Sequence, residues 1–120
     1  MDRYPYNMFR LGRNAQTQQA RFEVTRLVMS RVVDAASGVA SDEPRLSHAA
    51  VRSTASVERA VWMHIAGTYE PKTGALAIYF NGVRENAFVA SPPGVLVAKR
   101  GAPLMIGRSS TLDERKSFIG

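Results

Sequence analysis

The sequence predicts an all-β fold, a sandwich or barrel of short antiparallel strands. Three observations carry that expectation. Apolar and polar residues alternate with period two through most of the chain, no 3.6-residue apolar stripe emerges in the Ala- and Ser-rich stretch 32–50 that could tolerate a helix, and Gly, Pro and Asn punctuate the alternating runs.

The first element is "MFRLG", a short strand, followed by the polar connection "RNAQTQQ" and a second strand in "QARFEVTRLVM". In the second, Phe22, Val24 and Val28 share one side while Arg21, Glu23 and Thr25 face the other, which is a half-buried strand with one wet face. The two runs read as a hairpin between Met8 and Met29. "VVDAASGVASDEPRLSHAA" reads mostly as a long loop: Ala and Ser tolerate a helix, but Gly38 and Pro44 break it. A short strand, Ala50 to Ser53, leads out of it towards "SVERAVW".

"VWMHIAGTY" and "ALAIYF" are the clearest strands. Trp62, His64, Ala66 and Thr68 face one way and Met63, Ile65 and Tyr69 the other; Leu76, Ile78 and Phe80 line one face, with Ala75, Ala77 and Tyr79 opposite. Both faces are largely apolar, as in central strands covered on both sides. The connection "EPKTG" places Pro71 where φ is fixed and Gly74 where a positive φ is needed, and Asn81-Gly82 is a strong tight-turn signal. "NAFVA", "GVLVAK" and "PLMIG" are further strand candidates, separated by Ser91-Pro92-Pro93-Gly94 and Arg100-Gly101.

At 120 residues the chain, residues 1–120, is expected to be one domain. No segment approaches the roughly 20 apolar residues of a membrane helix, and "MDRYPYNMFRLGRNA" lacks the apolar core of a signal peptide. With no cysteine, disulfides and thiolate metal sites are excluded. The formal net charge of +6 invites a nucleic-acid reading, but the arginines are dispersed, and a solvated strand face is favoured over a nucleic-acid surface.

Taken in order, Trp62 to Tyr69, Leu76 to Gly82, Pro103 to Gly107 and Phe118 to Gly120 resemble the laminin G-like, concanavalin A-like jelly-roll family. There a Trp-x-His-(Val/Ile)-Ala strand pairs with a Leu-x-(Leu/Ile)-Tyr-(Val/Phe)-Asn-Gly strand, and Pro-Leu-x-Ile-Gly and Phe-x-Gly follow. The signature residues here are Trp62, His64, Ala66, Tyr79, Asn81, Gly82 and Gly107. The resemblance implies an antiparallel β-sandwich in which Trp62 and His64 are structural. Two departures bear on it: the family's closing Ile-Asp-Glu-Val-Arg-(Ile/Val)-Tyr strand and its opening strands have no counterpart. An incomplete jelly roll, cut from a longer exported bacterial-type protein, is therefore expected, with a homodimer through an open sheet edge as the other way to fill the gap.

The family mostly binds glycans, proteins or lipids, often with calcium, and a few relatives are glycosidases. A glycosidase needs two carboxylates flanking the scissile bond. Asp42-Glu43 and Asp113-Glu114 are adjacent residues in expected loops, so neither forms such a pair, and no catalytic residue or cofactor is assigned. Calcium needs six to eight oxygens; Asp113 with Glu114 is the best candidate site, ahead of Asp34, Asp42 and Asn81. Arg13, Arg26 and Arg108, with Arg10 and Arg21, would form a basic face for anionic glycans, against the plainer reading that they keep a β surface soluble. Trp62 is expected in the core, with sugar stacking as the lesser alternative. The expected function is a non-catalytic carbohydrate-binding or adhesion module of an extracellular protein. The alternatives are a structural accessory domain packed on a neighbouring catalytic domain, or the remnant of a glycoside hydrolase.

Overall fold

The computed structural model describes residues 8–58, 60–97 and Ile106. They form β1 (Phe9–Arg13), β2 (Gln19–Val33), β3 (Ala40–Ser56), β4 (Ile65–Glu70), β5 (Ala75–Phe80), β6 (Val83–Val89) and β7 (Val95–Leu96). One antiparallel sheet runs β1-β2-β3, and the other runs β4-β5-β6. β2 carries β3 along one edge; on its other edge β1 pairs with Ala20 to Val24 and β7 with Arg26 and Leu27. The all-β expectation is met. The strand candidates Pro103 to Gly107 and Phe118 to Gly120 lie outside the described residues, apart from Ile106.

The core forms where the period-two pattern said it should. Ala20, Phe22 and Val24 of β2 and Ala49 and Val51 of β3 face Leu76 and Ile78 of β5, with Ala90 closing one side. Leu76 and Ile78 are fully buried. Removing such side chains from water is the main stabilising term here. The sheets approach so closely at Gly67 that a Cβ there would lie 2.4 Å from the Phe22 ring. Glycine is what lets the aromatic face settle on the β4 backbone.

The β5–β6 turn is also as expected. Asn81 and Gly82 have φ of 51° and 82°, both left-handed, which is the two-residue hairpin turn whose twist matches that of its strands. Gly74 has φ of 79° in the β4–β5 connection.

Three expectations need correction. Residues 32–50 are not a long loop: β2 and β3 continue as a regular ladder from Arg21↔Arg52 to Val33↔Ala40. A tight turn closes it, in which Asp34 and Val39 are bonded, Gly38 N–H donates to Asp34 C=O at 2.8 Å, and the Asp34 carboxylate accepts the Ala36 N–H. Pro44, which reads as a breaker, lies in β3, which among the described residues shares a strand ladder with β2 alone; an edge strand tolerates a missing N–H on its free side. β4 starts at Ile65, so residues 61–64 are not strand, and only β5 is central in its sheet. Finally, Trp62 is not in the core: its exposure is 102%.

Candidate functional site

The segment before β4 is tied to the β5–β6 turn. Asn81 Oδ1 accepts the His64 N–H at 3.0 Å, and Asn81 N–H donates to the His64 carbonyl at 2.8 Å. The asparagine that supplies the left-handed turn thus also anchors the incoming chain. Two residues upstream of that anchor Trp62 stands free in solvent, beside exposed Val61 and exposed His64. A fully exposed indole forgoes the large burial energy that usually draws tryptophan inside. Of the remaining signature residues, Ala66 and Tyr79 are half-buried and directly opposite each other on β4 and β5, and Gly107 lies outside the described residues.

The expected basic face is divided by the sheet. Arg10 and Arg21 lie on the outer face and hold Glu23 between them, at 3.8 and 3.2 Å. Arg52 is directly opposite Arg21 on the same face. Arg13 and Arg26 point the other way, towards the layer between the sheets. Arg13 Nε donates to the Val57 carbonyl at 3.2 Å. Arg26, 2% exposed, donates to the Pro92 carbonyl at 2.5 Å and to Ser47 Oγ at 3.3 Å, and its Nε has no partner. Arg26 is therefore a clasp on residues 91–94 and not a surface ligand-binding group. The Tyr69 hydroxyl makes a second clasp, donating to the Gly94 carbonyl. Arg108 lies outside the described residues.

The position of Arg26 was readable in the sequence. It has the same parity as Phe22, Val24 and Val28, the buried side of β2, and a lone arginine in such a row has to find carbonyls or a counter-charge. The role of Glu85 carried no such signal. Its carboxylate accepts the Thr54 and Ala55 N–H groups at 2.9 and 2.7 Å, together with the Thr54 hydroxyl. The Thr54 hydroxyl first, then the Ala55 N–H, hold its pKa below the ordinary 4.5, so it is an ionised bridge between the sheets rather than an acid able to give up a proton near neutrality.

Asp42 and Glu43 fall on opposite faces of β3, because successive strand residues do. Asp113 and Glu114 lie outside the described residues, among which no group of three or more His, Asp or Glu side chains could hold a metal ion. His48 is not in a loop but in β3, with Nδ1 3.0 Å from Thr25 Oγ1.

Two antiparallel sheets sharing one apolar layer, with short turns at the ends, define a β-sandwich. The chain belongs to the laminin G-like family, whose sequence profile, described as the concanavalin A-like lectin/glucanases superfamily, matches residues 4–120. Comparison with curated proteins and with solved structures returns no match.

Proposed function

We propose that this chain is a non-catalytic carbohydrate-binding or adhesion module of an extracellular protein, and that Trp62 is its sugar platform. The family supports a carbohydrate-binding or structural module. The observation that carries the finer reading is the complete exposure of the one tryptophan in the chain. An aromatic face suits the C–H face of a pyranose ring, and the Asn81-Gly82 turn fixes the backbone next to it without covering the indole. His64 and the turn supply the polar groups that would orient a sugar lying on that face.

The same residue reports the test. Because Trp62 is the sole tryptophan, its emission should be that of an indole in water and should shift saturably with one class of saccharide, screened with and without calcium. Trp62→Ala should abolish that binding while leaving the unfolding midpoint unchanged, since exposed substitutions stay within about 0.5 kcal/mol. Binding that survives Trp62→Ala rules out the platform.

A second reading, a structural accessory domain packed against a catalytic neighbour, is favoured by a separate observation. Leu27, Met29, Leu46 and Val95 are all exposed and share the outer face of the β1-β2-β3 sheet. A chain that binds no saccharide but is stabilised by the adjoining domain would establish that reading instead. A glycosidase remnant would require two carboxylates about 5–10 Å apart across a groove, and the opposed faces of Asp42 and Glu43 argue against that pair.

A further inference from the structure

The outer edge of β3 is divided in two. From the Arg52 carbonyl onwards side chains of β6 occupy it: Asn86 Nδ2 donates to that carbonyl at 2.8 Å, and Glu85 takes the N–H groups of Thr54 and Ala55. The direction of that Arg52 carbonyl sets the parity of the strand. In an antiparallel ladder the N–H and C=O of one residue point to the same side, and sides alternate along the strand. The β2–β3 register is unbroken from Arg52 to Ala40. Ala50, His48 and Leu46 therefore turn both backbone groups away from β2, and no described strand pairs with them. Such a row is a template for another strand.

We propose that this edge pairs with the same edge of a second copy, antiparallel, about a two-fold axis through His48. In that register Leu46 lies opposite the partner's Ala50, and Pro44 opposite the partner's Arg52. Two local defects then cancel. Pro44 has no N–H to give, and the Arg52 carbonyl already has its donor in Asn86, so neither lacks anything from the other. The Arg52 N–H and the Pro44 carbonyl remain, and they meet.

Neighbouring registers lose this match. An axis through Ser47 sets Pro44 against the partner's Ala50, whose carbonyl is then left without a donor. An axis through Leu46 does the same to the partner's His48. An axis through Ala49 sets Leu46 against the partner's Arg52, whose carbonyl is taken. Pairing ends beyond Arg52, where the ladder slips between Gln19 and Arg21 and Glu85 fills the edge. The contact is isologous and closes on itself, joining two sheets into one. It does not depend on the saccharide reading.

The test is sedimentation over a concentration series, with two variants. Leu46→Pro removes one outward N–H, as Pro44 already does, and should abolish the dimer. His48→Cys places two thiols on the axis, where opposed residues of a bonded pair have Cα atoms about 5.5 Å apart, within disulfide reach. The chain has no cysteine, so the readout has no background. Mild oxidation should convert His48→Cys to a covalent dimer, while Arg31→Cys, exposed on β2, stays monomeric. His48→Cys leaves the backbone intact and keeps the test standing if Leu46→Pro fails to fold. A monomer at every concentration, a dimer that survives Leu46→Pro, or His48→Cys linking no more than Arg31→Cys would each overturn the proposal, and a foreign strand would then be the candidate occupant of the edge.

Discussion

The two halves of the β2–β3 ladder have the same hydrogen bonds and opposite surroundings. In the lower half, Arg21 to Val28 with Arg45 to Arg52, the inward face of β2 is buried, under the second sheet at Phe22 and Val24 and under residues 92–94 at Arg26 and Val28. In the upper half, Met29 to Val33 with Ala40 to Pro44, nearly every residue is exposed and only the turn at Asp34 and Gly38 closes the ribbon. Backbone bonds exchanged against water contribute modestly, whereas apolar burial contributes in proportion to area. The lower half is therefore expected to hold the fold, and the upper half to be held by it.

The largest effect should come from the layer that only the lower half touches. Ile78→Ala, at a fully buried site, should cost about 2–5 kcal/mol in denaturant unfolding. A loss below 1 kcal/mol would mean that the sheets are not packed as described. A sharper comparison uses one strand and one face. Val28 is 1% exposed and Val32 41%, four residues apart on the same side of β2. Val28→Ala should cost about 2 kcal/mol and Val32→Ala under about 0.5 kcal/mol; equal costs would erase the distinction between the halves. Gly82→Ala should cost about 1 kcal/mol through its left-handed φ, and should also loosen the Trp62 segment through Asn81.

The smallest effect is one of pH, and it touches both halves. Glu85 at the root and Asp34 at the ribbon turn both have lowered pKa values in the fold. For Asp34 the Ala36 N–H is the leading cause, followed by Ser37. A lowered folded value means that the stabilisation is present above the ordinary values of 4.5 and 3.8 and is lost as pH falls through the lowered ones. Stability should thus decline on acidification below those values, and Glu85→Gln should remove the root's share of the decline. A pH profile unchanged by Glu85→Gln would show that the bridge contributes nothing.

What was legible in the sequence follows the same division. β5, its Asn81-Gly82 turn and the buried side of β2 could be read because alternation and turn chemistry are local. The ribbon could not: Pro44 and Gly38 resemble breakers unless it is known that one is on a free edge and the other in a hairpin turn, and both facts are tertiary. Trp62 was misplaced for a related reason. Its alternation with His64 and Ala66 implies a strand, but the strand begins only at Ile65, so the parity that would have turned the indole inwards does not apply. Asp113, Glu114 and Arg108 lie outside the described residues, so the calcium candidate stands as a sequence expectation.

The placement of β7 has a consequence for the order in which the molecule is built. β1, β2 and β3 pair with their chain neighbours, as do β4, β5 and β6, whereas β7 returns across both units to reach Leu27. Hairpins close in microseconds, while a contact between distant parts of the chain must wait for the segments between to be ordered. The clasp of Arg26 and Tyr69 on residues 91–94 is thus expected to be a late, locking event rather than part of the nucleus. Weakening it with Tyr69→Phe should speed unfolding and leave the folding rate nearly unchanged.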